Sequence, residues 1–210
     1  MNYYNTILGN VKAPPRRTFF SFHYQKDVSR AHVVRNSWVT KDEREEAGFF
    51  DASVFESKKR VSEDALKSFL TDALNGTSVT CVLIGEDTYA RPWVRYELVR
   101  SFEQGKGLFG IRVHGLKDLQ QRFGTAGLNP FDCLAYRVEK DRVYWQELNG
   151  TTWQGYDRVP SMKLSDVAYN LQGRNHHTFS HLFPIYDWVA DSGYNNIKNW
   201  VQAAATHAGK

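Results

Sequence analysis

The sequence has little cysteine and no long apolar run. Its two cysteines, Cys81 and Cys133, are too few for a disulfide framework, which favours a reducing compartment. No stretch of about 18 apolar residues occurs, so we expect no membrane-spanning helix. Residues 1–17 also lack the apolar core of a secretory signal. These absences predict a cytoplasmic protein without a membrane partner.

The net charge is small, and neither sign dominates. Lys and Arg number 27 against 23 Asp and Glu, which gives +4 over 210 residues. This excess suits an anionic small molecule but is too small and too scattered to indicate a nucleic-acid groove. Aromatic residues make up 14%, which excludes wholesale disorder. The length predicts one embellished domain over residues 17–210, preceded by a flexible polar leader at 1–16.

Strand-like and helix-like segments alternate through the first half of the chain. Apolar strand candidates lie at 18–24, 48–53, 78–85 and 108–114. Helical stretches are predicted to begin at Asp27, as N-cap, at Ser62, and at Pro92, the last running to Gln104. This alternation predicts an α/β fold whose central parallel sheet is flanked by helices.

The C-terminal part follows a different pattern. Two aromatic segments, 143–148 and 151–156, flank Asn149-Gly150, a strong signal for a two-residue hairpin turn. We therefore expect a C-terminal β-hairpin over about 142–157. A loop is expected at 173–177. Helices are expected over about 180–205, with one helical segment at 185–189 and the last helix near 197–205.

Glu97 is the first candidate for chemistry. Trp93 and Glu97 are four residues apart and share a helix face, so the ring can shelter a ligand whose hydroxyls the carboxylate binds. A separate apolar stripe, predicted to pack on the sheet, is formed by Val94, Leu98 and Phe102. This pattern places Glu97 outside the core. From spacing alone, the favoured interpretation is an exposed Glu paired with Arg100 or Ser101.

The ends of the predicted strands supply further candidates. Ligands of parallel α/β sheets bind beyond the carboxyl ends of the strands. The residues expected there are Ser21, His23 and Tyr24 after the first strand, Asp51 and Ser53 after the second, and Gly85 after the third. Asp51 and Ser53 can equally be caps of the loop that follows them, and both interpretations stay open.

Several familiar motifs are absent or occur in the wrong context. Residues 105–110 spell G-x-G-x-x-G, but these glycines leave a helix and enter a strand, the reverse of a dinucleotide fingerprint. His177 and His181 are one helical turn apart, yet no cysteine or carboxylate completes a ligand set. Cys81 lies in an apolar strand, which indicates an inert thiol. We therefore predict no metal and no bound cofactor.

A combination of segments resembles the TIR-like family of Thoeris antiphage defence in bacteria (ThsB type). The resemblance covers most of residues 17–201 and is carried by segments 18–25, 33–40, 77–85, 93–97, 129–132 and 186–191. It implies a flavodoxin-like TIR fold and cleavage of NAD, as substrate, at the nicotinamide–ribose bond. In cyclase members it also implies closure of the ADP-ribose into a cyclic isomer.

The resemblance also implies roles for particular residues. The Glu of the family's Trp-x-x-x-Glu motif matches Glu97, which becomes the expected catalytic residue. The residues expected to bind the substrate are Phe20, Ser21, His23, Tyr24, Asp51, Ser53, Trp93 and Tyr96. The chain departs from animal TIR domains after its first strand, where they often carry basic residues and this chain has His23-Tyr24-Gln25.

Three functions remain as hypotheses at this stage. The first is an NAD-consuming synthase whose diffusible cyclic product activates a separate NAD-depleting effector protein. The resemblance suggests phage infection as the trigger, and leaves a phage-derived trigger protein and self-association open. The second is a non-catalytic TIR-type interaction or sensor module. The third, a phospho-receiver, needs clustered acids at the end of the first strand, and residues 21–24 contain none.

Overall fold

The computed structural model describes residues 16–38, 62–171 and 176–210. Its helices are α1 (Tyr24–Trp38), α2 (Glu63–Leu74), α3 (Pro92–Glu103) and α4 (Gly193–His207). Its strands are β1 (Thr18–Phe22), β2 (Val79–Ile84), β3 (Gly107–Arg112), β4 (Leu134–Glu139), β5 (Arg142–Asn149), β6 (Thr152–Gly155), β7 (Met162–Lys163), β8 (His176–Thr178) and β9 (Ile185–Asp187). The predicted strand at 48–53, with Asp51 and Ser53, lies outside the described residues, as do residues 1–15 of the predicted leader.

A parallel sheet forms the centre of the fold, in the strand order β1-β2-β3-β9. Every residue of β2 is buried, as expected for an apolar strand covered on both faces. One face packs against α1 and α4, in a core that contains Phe20, Cys81 and Phe109. The other face packs against α2 and α3, in a core that contains Val82 and Leu108. The predicted α/β architecture is thus confirmed.

An antiparallel sheet follows, in the order β6-β5-β4-β8, with β7 paired to β5. The predicted hairpin is confirmed, but its turn is shifted by one residue. Asn149 pairs with Thr152, so the turn residues are Gly150 and Thr151. Gly150 takes a φ of +60°, which glycine adopts without the steric cost of a Cβ.

An aromatic cluster joins the second sheet to α3. Phe102 lies at its centre, with ring centroids 5.1 Å from both Trp145 and Phe179 and 6.1 Å from Tyr136. These four residues belong to the same buried core as α2 and α3. The helix that carries Glu97 is therefore packed between the two sheets.

Some sequence predictions for the C-terminal part are wrong. Residues 185–187 form β9 rather than a helix, because β3 offers a free edge that pairs Gly110 with Ile185. Residues 176–178 form β8 instead of loop, since β4 pairs with them in an antiparallel arrangement. The last helix is longer than the sequence predicts, since it runs from Gly193 to His207.

Asp27 is also not the N-cap of α1. The helix begins at Tyr24, and the amide of Asp27 donates to the carbonyl of His23 at 2.9 Å, so Asp27 lies in the first turn. Its side chain is buried beside Arg30. The N-cap prediction for Ser62 is confirmed, since its hydroxyl accepts from the amide of Ala65. None of the helices in the described part of the chain has the length and hydropathy to cross a bilayer.

Candidate active site

Strand β1 and helix α3 bring Ser21 and Glu97 together. Side chains of a strand alternate between the faces of its sheet, so Phe20 points to α1 and α4 while Ser21 points to α3. The Ser21 hydroxyl donates a hydrogen bond to the Glu97 carboxylate. Both side chains are buried, with residue exposures of 1% and 6%. Two predicted site residues that are far apart in sequence therefore form one buried pair.

The backbone around Glu97 is fixed to the sheet by two hydroxyls. The Ser101 hydroxyl donates to the carbonyl of Glu97 at 2.7 Å. It also lies 2.8 Å from the hydroxyl of Thr80, which projects from β2. This chain of hydrogen bonds holds the middle of α3 against the sheet and limits how far Glu97 can move.

Burial controls the charge of Glu97. It raises the pKa of this carboxyl from 4.5 to about 8, and the hydrogen bond from Ser21 opposes the rise. Among the residues that the structure describes, no Lys, Arg or His acts as an ionic partner of this carboxylate. Within the described part of the chain this acidic group therefore has no counter-charge, and its raised pKa makes it mainly neutral at pH 7.

His23 and Tyr24 follow directly after β1. His23 is buried, and its Nδ1 has no hydrogen-bond partner among the described residues. Desolvation, followed by the nearby Arg91 guanidinium, lowers the pKa of His23, so its imidazole is neutral at pH 7. Tyr24 is 38% exposed at the start of α1. Both lie at the carboxyl end of the parallel sheet, where the sequence analysis placed them.

The other predicted site residues lie in different surroundings. The Trp93 ring meets the edge of the Tyr96 ring at 5.6 Å, and the Tyr96 hydroxyl is 3.4 Å from the Thr71 hydroxyl on α2. Tyr96 is thus part of the packing between α2 and α3, and Trp93 is half-buried against the same core. Phe20 lies in the core on the opposite face of the sheet from Glu97. Asp51 and Ser53 lie outside the described residues.

The expected exposure of Glu97 is wrong. Arg100 pairs with Glu103, and Ser101 binds the carbonyl of Glu97 rather than its carboxylate, so the interpretation as a solvated surface Glu is also wrong. The sequence contains a signal for this arrangement. Val94, Glu97 and Ser101 follow the i, i+3, i+7 spacing of an inward helix face. Two polar residues on such a face indicate a buried polar site.

Metal and thiol chemistry receive no support from the described residues. In residues 16–38, 62–171 and 176–210, no group of His, Cys, Asp and Glu side chains is arranged to hold a metal. His181 instead places its Nδ1 2.8 Å from the hydroxyl of Thr178. Cys81 and Cys133 are buried, free thiols whose pKa is raised by desolvation.

The fold and the site define an α/β domain with a buried carboxylate beneath the end of its first strand. The family model "Thoeris protein ThsB, TIR-like domain" matches residues 19–118. The chain is also 42% identical, over 189 residues, to a Bacillus cereus (strain MSX-D12) protein named "Putative cyclic ADP-D-ribose synthase ThsB1". That alignment covers 89% of this chain and 98% of the relative. The chain therefore belongs to the ThsB family of TIR-like Thoeris proteins.

Proposed function

We propose that this protein cleaves NAD at the nicotinamide–ribose bond and closes the remaining ADP-ribose into a cyclic isomer. The observation that carries the proposal is the buried Glu97 carboxylate, which is bound by Ser21 and has no ionic partner in the described residues. The printed name of the B. cereus relative, a putative cyclic ADP-D-ribose synthase, supports the same reaction.

The chemistry requires one well-placed negative charge. Breaking the bond between nicotinamide and ribose builds oxocarbenium character on the ribose, as in glycoside hydrolysis. A carboxylate beside that ring stabilises the developing positive charge and accepts hydrogen bonds from ribose hydroxyls. The nicotinamide ring is cationic in NAD and becomes a neutral molecule when it leaves, so no general acid is required. Glu97 supplies the charge, and Ser21 orients the carboxylate through its hydrogen bond.

The fate of the ribose depends on the nucleophile. Attack by the adenosine part of the same molecule gives a cyclic product, whereas attack by water gives linear ADP-ribose. Exclusion of water from the site favours the cyclic product. His23 and Tyr24 after β1 are the described residues proposed to contact the substrate. Phe20, Asp51, Ser53, Trp93 and Tyr96 stay sequence-based predictions.

The proposed product is a signal that acts away from this site. A diffusible cyclic nucleotide would activate a separate effector that depletes NAD in the bacterial cytoplasm. Phage infection is the proposed trigger, with a phage-derived protein as one candidate and self-association as another. NAD is the substrate in this scheme, and no resident cofactor is invoked.

The first test is turnover of NAD by the purified protein, followed by chromatography with mass detection. We expect release of nicotinamide and a new product at the mass of ADP-ribose minus water. Glu97→Gln should lower the rate by at least about 10²-fold, because the neutral amide cannot stabilise the transition-state charge. The matched control is Glu103→Gln on the same helix, which should keep the wild-type rate. Full turnover by Glu97→Gln would refute the assignment.

The test also separates the enzyme from an interaction module. If the protein is inactive alone, the assay is repeated with lysate from phage-infected and uninfected cells. Turnover that requires infected lysate and Glu97 supports an enzyme with a trigger. No turnover under any of these conditions would refute the enzymatic proposal and favour a non-catalytic TIR-type module.

A further inference from the structure

The second sheet is hydrogen-bonded to the helix that carries Glu97. Arg95, on α3, donates from Nη1 to the Glu147 carboxylate at 2.7 Å and to the Leu148 carbonyl at 3.0 Å, both on β5. Its Nε donates to the carbonyl of Tyr89 at 3.1 Å. Tyr89 belongs to the 3₁₀ turn just before α3. One guanidinium thus connects the start of α3 to the second strand of the antiparallel sheet.

Arg95 and Glu97 hold α3 from opposite sides. They are two residues apart, which on an α-helix separates their directions by about 200°. The carboxylate of Glu97 meets Ser21 on β1, and the guanidinium of Arg95 meets Glu147 on β5. A helix held at two opposite points can neither rotate nor slide without breaking one of these contacts.

The partner of Arg95 is itself held in place. Glu147 is 23% exposed at its side chain, and its second carboxylate oxygen accepts from the Gln154 amide at 3.2 Å across the β5–β6 pair. The loop between β6 and β7 also contacts α3, since the Arg158 guanidinium lies 5.5 Å from the centre of the Trp93 ring. The first turns of α3 therefore contact both β5 and the loop that follows β6.

We propose that Arg95 is a positioning residue for Glu97, and that the β5–β6 hairpin serves catalysis by holding Arg95. The inference rests on the proposed function, because it assigns a catalytic consequence to a structural contact. Misplacement of a reacting group by about 1 Å can cost on the order of 10²-fold in rate. A planar guanidinium can bind carboxylate and carbonyl oxygens together, which a lysine ammonium does less well.

The test is a double-mutant cycle on the full chain. Arg95→Met and Glu147→Met should each lower kcat by about 10- to 100-fold while KM changes by less than about threefold. The double variant should be little worse than Arg95→Met alone, because both changes remove the same Arg95–Glu147 ion pair. Arg95→Lys should recover part of the lost rate. The control is Arg137→Met, since Arg137 is half-exposed on β4 and pairs with Glu139.

Melting temperatures are recorded for every variant, and rates are compared well below them. Wild-type kcat in Arg95→Met, a change confined to KM, or fully additive losses would each overturn the proposal. Hydrogen exchange supplies a readout that does not require turnover. Arg95→Met should speed the exchange of α3 amides and leave β2 and β3 protected, and unchanged α3 protection would overturn the proposal. A wild type that is inactive both alone and with lysate from infected cells would refute the proposed function, while the exchange result would still decide whether Arg95 holds α3.

Discussion

Removing the ionisable group of Glu97 should stabilise the protein, and by more at neutral than at acidic pH. In the unfolded chain this carboxyl has a pKa near 4.5, and burial raises its pKa to about 8 in the folded protein. The folded state therefore binds the proton more tightly than the unfolded state does. Protonated Glu97 therefore contributes to the free energy of unfolding. This contribution is complete below pH 4.5, declines as the pH rises, and is lost above about pH 8.

The size of the effect follows from the two pKa values. Between pH 5 and pH 7, the linkage relation assigns this group a loss of about 2–3 kcal/mol of unfolding free energy. Glu97→Gln has nearly the same shape, stays neutral at both pH values, and can still accept from Ser21 through its amide oxygen. The variant does not incur this loss, so its stability relative to wild type should improve by about 2–3 kcal/mol between pH 5 and pH 7.

Urea unfolding of both proteins at pH 5 and pH 7 measures this difference. Other groups, such as His23 and Asp27, titrate in both proteins, so their contributions cancel when the variant is compared with wild type. In thermal melts the relative gain should be about 5–10 °C for a chain of this size. If the unfolding free energies of the two proteins differ by the same amount at pH 5 and at pH 7, the description of Glu97 as buried with a raised pKa is refuted.

Two further substitutions test the packing that holds the site. Gly85→Ala would place a Cβ 2.1 Å from Oδ2 of the buried Asp27, so we expect a loss of about 1–3 kcal/mol in unfolding free energy, and an unchanged melting temperature would contradict that close approach. Phe102→Ala removes the ring at the centre of the aromatic cluster, so urea unfolding should show a loss of about 3–5 kcal/mol, and a loss below about 1 kcal/mol would mean that the two sheets do not share this core.

The parallel sheet was predictable because its signals are local. The run from Ser78 to Gly85 is almost wholly apolar, and it becomes β2, buried along its entire length. Ser and Pro are residue types that favour helix starts. Helix α2 begins directly after Ser62, and α3 begins at Pro92. The Asn149-Gly150 pair predicted the hairpin, although the turn centres on Gly150-Thr151 because the register of β5 and β6 follows packing along the whole strand pair.

The remaining elements depend on partners far away in sequence. β9 is three residues long and β8 is equally short, so neither shows a period of its own. Each becomes a strand because a neighbouring strand, β3 or β4, offers unpaired backbone groups. The start of α1 was placed too late because Asp27 resembles a cap, whereas its buried pairing with Arg30 places it inside the helix.

The candidate site likewise depends partly on a local sequence pattern and partly on residues far away in sequence. The Trp93–Glu97 spacing singled out the right carboxylate, but its burial depends on Ser21, which lies 76 residues earlier in the chain. No local sequence pattern indicates the role of Arg95, because its partner Glu147 is 52 residues away, in the antiparallel sheet. A pattern on one helix can reveal that a residue is unusual, but the environment that sets its pKa is built from other elements.

That environment bears directly on catalysis. A neutral Glu97 cannot stabilise a developing positive charge, so the resting site is mainly in the wrong protonation state at pH 7. The nicotinamide ring of NAD carries the positive charge that the described residues do not supply, and an opposite charge within a few ångströms lowers the pKa of a carboxyl. Substrate binding would therefore ionise the group that the reaction needs.

We accordingly expect kcat/KM, which reports the free enzyme, to rise with pH up to about 8, and kcat, which reports the complex, to level off at lower pH. Coincident profiles for the two parameters would show that the substrate does not change the protonation of Glu97.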